Sequence, residues 1–214
     1  MFLAIEGLDG SGKSTLVEHL QSYYIKQNKE VVVVREPGGT VMGEALRDIL
    51  KNPNSEQLTK DTEILLFISS RLHLIEHVIR PALARGAVVI ADRFYLSTIT
   101  YQGVGLDRLP FVLNLLADTI TVHPDWHIWI DVEAETALRR RKQATGLDRI
   151  ESRSLDYFKT IRAGFNMLFH SPDMLVDFNS QLPKLNIHRI DADTLTLGEI
   201  KDCAIRFLNQ IEKI

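Results

Sequence analysis

The stretch at residues 5–20, IEGLDGSGKSTLVEHL, decides the fold. Gly7 is followed by four residues and then by Gly12, Lys13 and Ser14, the spacing of a loop that cradles phosphates. Such a loop needs glycines so that backbone N–H groups can turn inward, and a helix N-terminus behind it that favours negative charge. It also needs a lysine for the β- and γ-phosphates and a hydroxyl for magnesium. Ordinary residue usage produces the pattern by chance in on the order of one per cent of chains this long. The context makes chance rarer, because an apolar run (2–5) leads in and a helical pattern (14–26) leads out. The loop formed by Gly7, Leu8, Asp9, Gly10, Ser11, Gly12, Lys13, Ser14 and Thr15 is therefore expected to bind a nucleoside triphosphate.

Outward from that loop, apolar runs at 31–34 and 87–91 read as strands buried on both faces, 127–131 resembles them, and a fifth strand is expected at 186–190. Helical patterns at 40–50, 61–85, 108–119 and from Leu197 separate or follow them, with Pro81 expected to kink or end the helix at 61–85. Strands alternating with helices of this length imply βαβ units. The expected class is α/β: a parallel five-stranded sheet with helices on both faces, of the P-loop NTPase type, forming one domain over residues 1–214. Ligands are expected at the carboxyl ends of the strands. Residues 169–185 carry a proline and several turn formers and read as mostly loop.

The chain has 214 residues, 45% of them hydrophobic, enough to bury a sizeable core. A net charge of −3 argues against a general nucleic-acid binder. One cysteine, Cys203, excludes an internal disulfide and a cysteine-cluster metal site. An acid, Glu6, interrupts the start before a signal-like apolar region, and no apolar run nears the roughly 18 residues of a membrane span. The expectation is a cytoplasmic protein without a membrane partner.

Four further features bear on what receives a phosphate. Asp9 sits inside the loop, where a carboxylate is costly beside bound phosphates. It either caps the following helix or accepts a hydrogen bond from an acceptor's sugar hydroxyl. Asp92 and Arg93, in ADRFYLSTITYQG, follow an apolar run. There a carboxylate can hold magnesium through water and an arginine can grip a phosphate, although a surface ion pair would also explain the dipeptide. In TEILLFISSRLHLIEHV, Ile64, Phe67, Ile68, Leu74, Ile75 and Val78 form one stripe, and Arg71 lies on it four residues after Phe67. That arginine either snorkels to a structural carboxylate or lines a base pocket with Phe67 stacked on the base. Finally, LRRRKQATGLDRIE gathers Arg139, Arg140, Arg141, Lys142 and Arg149 around Thr145 and Gly146. The run is either a solvated basic face or a mobile lid (about 139–150) that brings an arginine to the transferring phosphoryl group.

Together the stretches IEGLDGSGKST, REPGGT, LLFISSR, DRFYLSTITYQG and GLDRIE resemble the bacterial thymidylate (dTMP) kinases, of the nucleoside-monophosphate kinase group. The resemblance implies in-line transfer of phosphate from ATP to dTMP, giving dTDP in dTTP biosynthesis, with Mg²⁺ held by Ser14 and, through water, Asp92. It implies that Asp9 faces the deoxyribose, that Phe67 stacks on thymine, and that Arg71 bonds it. Arg93 would grip the acceptor phosphate, with Ser97, Tyr101 and Gln102 completing the pocket and Tyr101 crowding a ribose 2′-hydroxyl. Glu36, in REPGGT, and Arg47 on the next helix would add acceptor contacts. Lys13 and Arg93 would be catalytic together with lid arginines, Arg149 first and Arg140 second, and the enzyme would be a homodimer. The rivals are a kinase for another nucleoside or nucleotide, and a P-loop switch that hydrolyses ATP as a timer for a macromolecular partner.

Overall fold

A computed structural model describes residues 1–53, 56–141 and 148–212. In chain order the elements begin with β1 (Phe2–Gly7), α1 (Lys13–Lys26), β2 (Val31–Arg35), α2 (Val41–Lys51) and α3 (Lys60–Leu74). They continue with α4 (Arg80–Ala84), β3 (Val88–Asp92), α5 (Tyr95–Thr98), α6 (Leu109–Thr119), β4 (Trp126–Asp131) and α7 (Ala134–Arg141). The last are α8 (Leu155–His170), α9 (Met174–Phe178), β5 (Ile187–Asp191) and α10 (Leu197–Ile211). Two π-helical stretches, Ile75–Ile79 and Ile99–Val104, bridge α3 to α4 and extend α5.

The five strands form one parallel sheet in the order β2-β3-β1-β4-β5. The chain leaves β1 towards β2 and β3 on one side, then crosses to β4 and β5 on the other. The connections therefore diverge beside β1, where a crevice opens outside the carboxyl ends of the strands. Every residue of β1 is buried, as an inner strand covered on both faces requires.

The fifth strand and the five-stranded parallel sheet agree with the sequence reading, and three details correct it. Strand β2 is an edge strand with Val33 38% exposed, so its apolar run did not mean burial on both faces. The third helix does not stop at Pro81. It widens into the π-helical stretch Ile75–Ile79, and Pro81 then enters the first turn of α4. A proline clashes with the carbonyl four residues back, here that of His77, and a wider turn moves that carbonyl aside. The segment 169–185 holds the end of α8 and the short α9, with Leu175, Leu182 and Leu185 buried.

Candidate active site

A cavity of about 450 Å³ opens at the carboxyl ends of β1 and β3. Of the residues singled out from the sequence, Asp9, Gly10, Gly12, Lys13, Ser14, Thr15, Glu36, Arg47, Phe67, Arg71, Asp92, Arg93, Ser97, Tyr101 and Gln102 line it.

One wall is the loop between β1 and α1. Gly12 precedes α1 with φ 99°, and a Cβ there would meet nothing within 4 Å, so the backbone faces open space. Gly10, at φ 86°, serves a close approach instead: a Cβ would stand 2.4 Å from the carbonyl oxygen of Ala137 in α7. Lys13 is buried and its Nζ donates to the Leu8 carbonyl (2.8 Å). Burial and then the Arg93 charge push the Lys13 pKa down to about 8, against the pull of Asp9 and Asp92. Gly7, Leu8 and Ser11, expected to touch phosphates, do not line the cavity. Gly7 accepts from Arg93, Leu8 buries its side chain beneath the loop, and the buried Ser11 hydroxyl has no partner.

Beside Lys13, Ser14 Oγ donates to Asp92 Oδ2 (2.8 Å). A hydroxyl and a carboxylate touching at a cavity wall are hard oxygen donors suited to Mg²⁺. Among the described residues no group of three or more His, Cys, Asp or Glu side chains is placed to hold a metal. The pair therefore fits a cation that takes its remaining ligands from phosphates and water, not a closed protein cage.

Arg93 organises the opposite wall. Its φ of 73° is left-handed, unusual for a side chain of this size, and its N–H donates to the Ile5 carbonyl (2.9 Å). Its Nη1 donates to the Gly7 carbonyl (2.9 Å) and Ser97 Oγ (3.1 Å), while Nη2 donates to Asp9 Oδ1 (2.6 Å) and Tyr101 Oη (3.3 Å). The guanidinium lies 4.9 Å from the centre of the Tyr101 ring. Asp9 also accepts from Tyr101 Oη (3.2 Å). Burial pushes the Asp9 pKa up, but the Arg93 and Lys13 charges outweigh it and hold the carboxyl well below the usual range. Asp9 caps nothing, since the N-cap of α1 is Gly12 without a side-chain bond. Beneath Arg93, the fully buried Glu6 accepts from the Phe94 N–H (2.9 Å) and Ser97 Oγ (2.5 Å). Burial pushes its pKa up to about 7, partly offset by the Ser97 hydrogen bond and the Arg93 charge.

The far end of the cavity holds Phe67 and Arg71 on one face of α3. Arg71 is 1% exposed. Its Nε donates to both carboxylate oxygens of Glu36 (3.0 and 2.8 Å), and its Nη2 donates to Glu36 Oε2 and to Thr98 Oγ1 (2.8 Å). Glu36 is thus the carboxylate that keeps this arginine inside the fold while also lining the cavity. Arg71 Nη1 has no partner, which leaves one buried donor open. Arg47 Nη1 donates to the Pro37 carbonyl (2.8 Å), which ties α2 to the turn after β2.

The two lid arginines lie elsewhere. Arg149 does not line the cavity; its Nε donates to the Leu50 carbonyl (2.9 Å) and its Nη1 pairs with Glu63 (3.0 Å). Arg140 Nη2 donates to the Ala192 carbonyl (3.3 Å). Both rest on protein partners, and residues 142–147 of the expected lid lie outside the described residues. Sequence reasoning passed over Glu63 and Arg153, which are paired at 2.6 Å. A signal existed: Glu63, Phe67 and Arg71 repeat at four-residue spacing and so share a helical face.

A family model for thymidylate kinase matches residues 5–189. The chain belongs to the thymidylate kinase family. The thymidylate kinase of Thermosipho melanesiensis is 45% identical over 169 residues, covering 77% of this chain and 82% of that protein. The thymidylate kinase of an Exiguobacterium species is 39% identical over 217 residues, covering 98% and 96%. Among solved structures, the thymidylate kinase of Ehrlichia chaffeensis superposes with a TM-score of 0.72 at 29% identity, covering 98% of each chain. The family match over residues 5–189 includes the phosphate loop and α3, so it takes in both walls of the cavity.

Proposed function

We propose that this chain, working as a single nucleotide-kinase domain, phosphorylates dTMP with ATP to give dTDP and ADP. The observation that carries the reading is that one cavity joins a triphosphate loop to a pocket with an aromatic ring, Phe67, and an open guanidinium donor on Arg71. A nucleotide switch has no use for the second half of that arrangement.

In this reading a phosphate oxygen of dTMP attacks the γ-phosphorus of ATP, the bond to the β,γ-bridging oxygen breaks, and ADP leaves. Arg93 exchanges part of its present bonding for the acceptor phosphate and aligns the attacking oxygen. Asp9 and Tyr101 are placed at the deoxyribose, and Phe67 and Arg71 at the base. Lys13 leaves the Leu8 carbonyl for the β- and γ-phosphates, and Arg149 and Arg140 leave theirs to neutralise charge as it spreads over the transferring group. Ser14 and, through water, Asp92 would hold Mg²⁺, which would supply charge neutralisation for the transfer. Closure over the site keeps water from taking the γ-phosphoryl group.

A homodimer accompanies this reading. Val41 is 94% exposed, and Met42 and Ile49 on α2 with Leu65 on α3 add apolar surface near it. Light scattering of the purified chain tests the assembly directly.

The reaction is tested by ADP release from ATP and Mg²⁺ against dTMP, dUMP, dCMP, dGMP, AMP and thymidine. Strong stimulation by dTMP, with dUMP trailing, is expected, since one methyl is worth only about 1–3 kcal/mol. Preference for thymidine or another monophosphate would keep the fold and remove the base assignment. Hydrolysis indifferent to every acceptor would point to a switch.

A further inference from the structure

Glu63 stands on the first turn of α3, 1% exposed, and meets three side chains from two segments, the π-helical stretch after α5 and the connection into α8. Gln102 Nε2 donates to its Oε1 (3.0 Å), Arg153 Nη2 donates to its Oε2 (2.6 Å), and Arg149 Nη1 lies 3.0 Å from that same oxygen. A carboxylate accepts and never donates. The Gln102 amide can therefore meet Glu63 only with its nitrogen, and its carbonyl oxygen is the end left for the cavity that Gln102 lines. A glutamine without such a neighbour could turn its amide over and offer either a donor or an acceptor.

Arg71 lines the same cavity, with its Nε and Nη2 committed to Glu36 and Thr98 and its Nη1 open. An open donor and an enforced acceptor in one cavity match the needs of a base edge that carries a carbonyl next to a ring N–H. A cytosine edge, with an amino group next to an unprotonated ring nitrogen, offers the reverse pattern at both positions.

We infer that Glu63 is a positioning residue for base selection: it fixes the polarity of the Gln102 amide so that the pocket reads a carbonyl/N–H edge. The inference rests on the dTMP kinase reading and adds to it the group that sets one of the two hydrogen-bonding directions. Glu63 also docks Arg149 and Arg153, so the segment that follows residue 147 leans on the carboxylate that orients the base reader.

The test is Glu63→Gln, with kcat and KM measured for dTMP, dUMP and dCMP and folding followed by thermal unfolding. An amide at position 63 can donate as well as accept, so Gln102 is released to turn. The ratio of kcat/KM for dTMP over dCMP should fall at least about tenfold, with the KM for dTMP rising. In a Gln102→Leu background the same substitution should leave that ratio unchanged, because Glu63 then has no amide to orient. An equal loss for all three acceptors at an unchanged ratio would overturn the inference and leave Glu63 as a dock for the arginines. Should Glu63→Gln not fold, Glu63→Asp keeps the acceptor-only chemistry one methylene shorter. It should hold the ratio near that of the wild type, and a fall of about tenfold with the acceptor-only carboxylate still in place would overturn the inference. A wild-type chain that phosphorylates neither dTMP nor dUMP would remove the kinase reading itself, a different result from a dTMP kinase indifferent to position 63.

Discussion

The two walls of the cavity treat their cations differently. On the acceptor wall, Arg93 is held by Asp9 and Arg71 by Glu36, so each guanidinium is oriented by a carboxylate built into the fold. On the donor wall, Lys13 rests on a single backbone carbonyl, as does Arg140 outside the cavity. Carboxylate partners fix direction at the cost of net charge, whereas a carbonyl leaves the full charge available. The acceptor wall is thus suited to recognition by geometry, and the donor wall to neutralising a charge that arrives with the triphosphate. Arg149 stands between the two cases, paired with Glu63 in this structure although its segment belongs to the expected lid.

The largest test of this contrast is Lys13→Ala. If donor-wall charge is what matters, turnover should fall on the order of 10⁴-fold, as for other cations that stabilise this class of transition state. The binding of ATP to the free enzyme should also weaken as pH rises through about 8, where the buried ammonium loses its proton. Isothermal titration across that range checks the sign, because a bound triphosphate holds the proton on and so binds less well once it is gone.

Next in size is Arg71→Ala, which should break geometry and leave Glu36 buried without its partner. A stability loss of about 3–5 kcal/mol is expected, together with loss of dTMP selectivity, measured by denaturant unfolding and by the acceptor screen. A fully stable variant would mean that the acceptor wall is less rigid than its bonding indicates.

Arg149→Ala should lower kcat about 10²-fold while changing the KM for dTMP far less. Equal effects on both would move Arg149 from the donor side of the comparison to the acceptor side.

The smallest effect concerns the support under Arg93. Glu6 titrates near 7 in the fold against its ordinary value of 4.5, so the folded state favours the protonated form. Its contribution is complete below the ordinary value and is lost as pH rises towards 7. Wild-type stability should therefore exceed its neutral-pH value by about 2 kcal/mol near pH 5.5, and Glu6→Gln should flatten that dependence. An unchanged slope in thermal unfolding would show that Glu6 keeps its charge.

Much of this could be read from residue order alone. The phosphate loop, the strand before it and the helix after it depend on local spacing, and the parallel sheet follows from strands alternating with helices. Phe67 and Arg71 share a face because four residues make about one helical turn. What failed was what periodicity cannot encode. The apolar run of β2 looks like that of β1, yet one is an edge and the other central, because strand order is a property of the whole sheet. Pro81 was expected to kink or end its helix, and where the widened turn falls, at Ile75–Ile79 ahead of the proline, was not legible. The short helices α5, α7 and α9 draw their order from neighbours more than from their own stripes.

The sequence by itself determined that a phosphate-loop motif stands before the first helix and that the chain belongs to the thymidylate kinase family, because those signals lie within continuous stretches. Only the tertiary structure decided that Glu36 neutralises Arg71, that Asp9 meets Arg93, and that Glu63 gathers Gln102, Arg149 and Arg153. These partners are 35, 84 and, for Glu63, 39 to 90 residues apart along the chain. A charge stripped of water must find its counter-charge in space, and sequence distance carries no information about which one it will be.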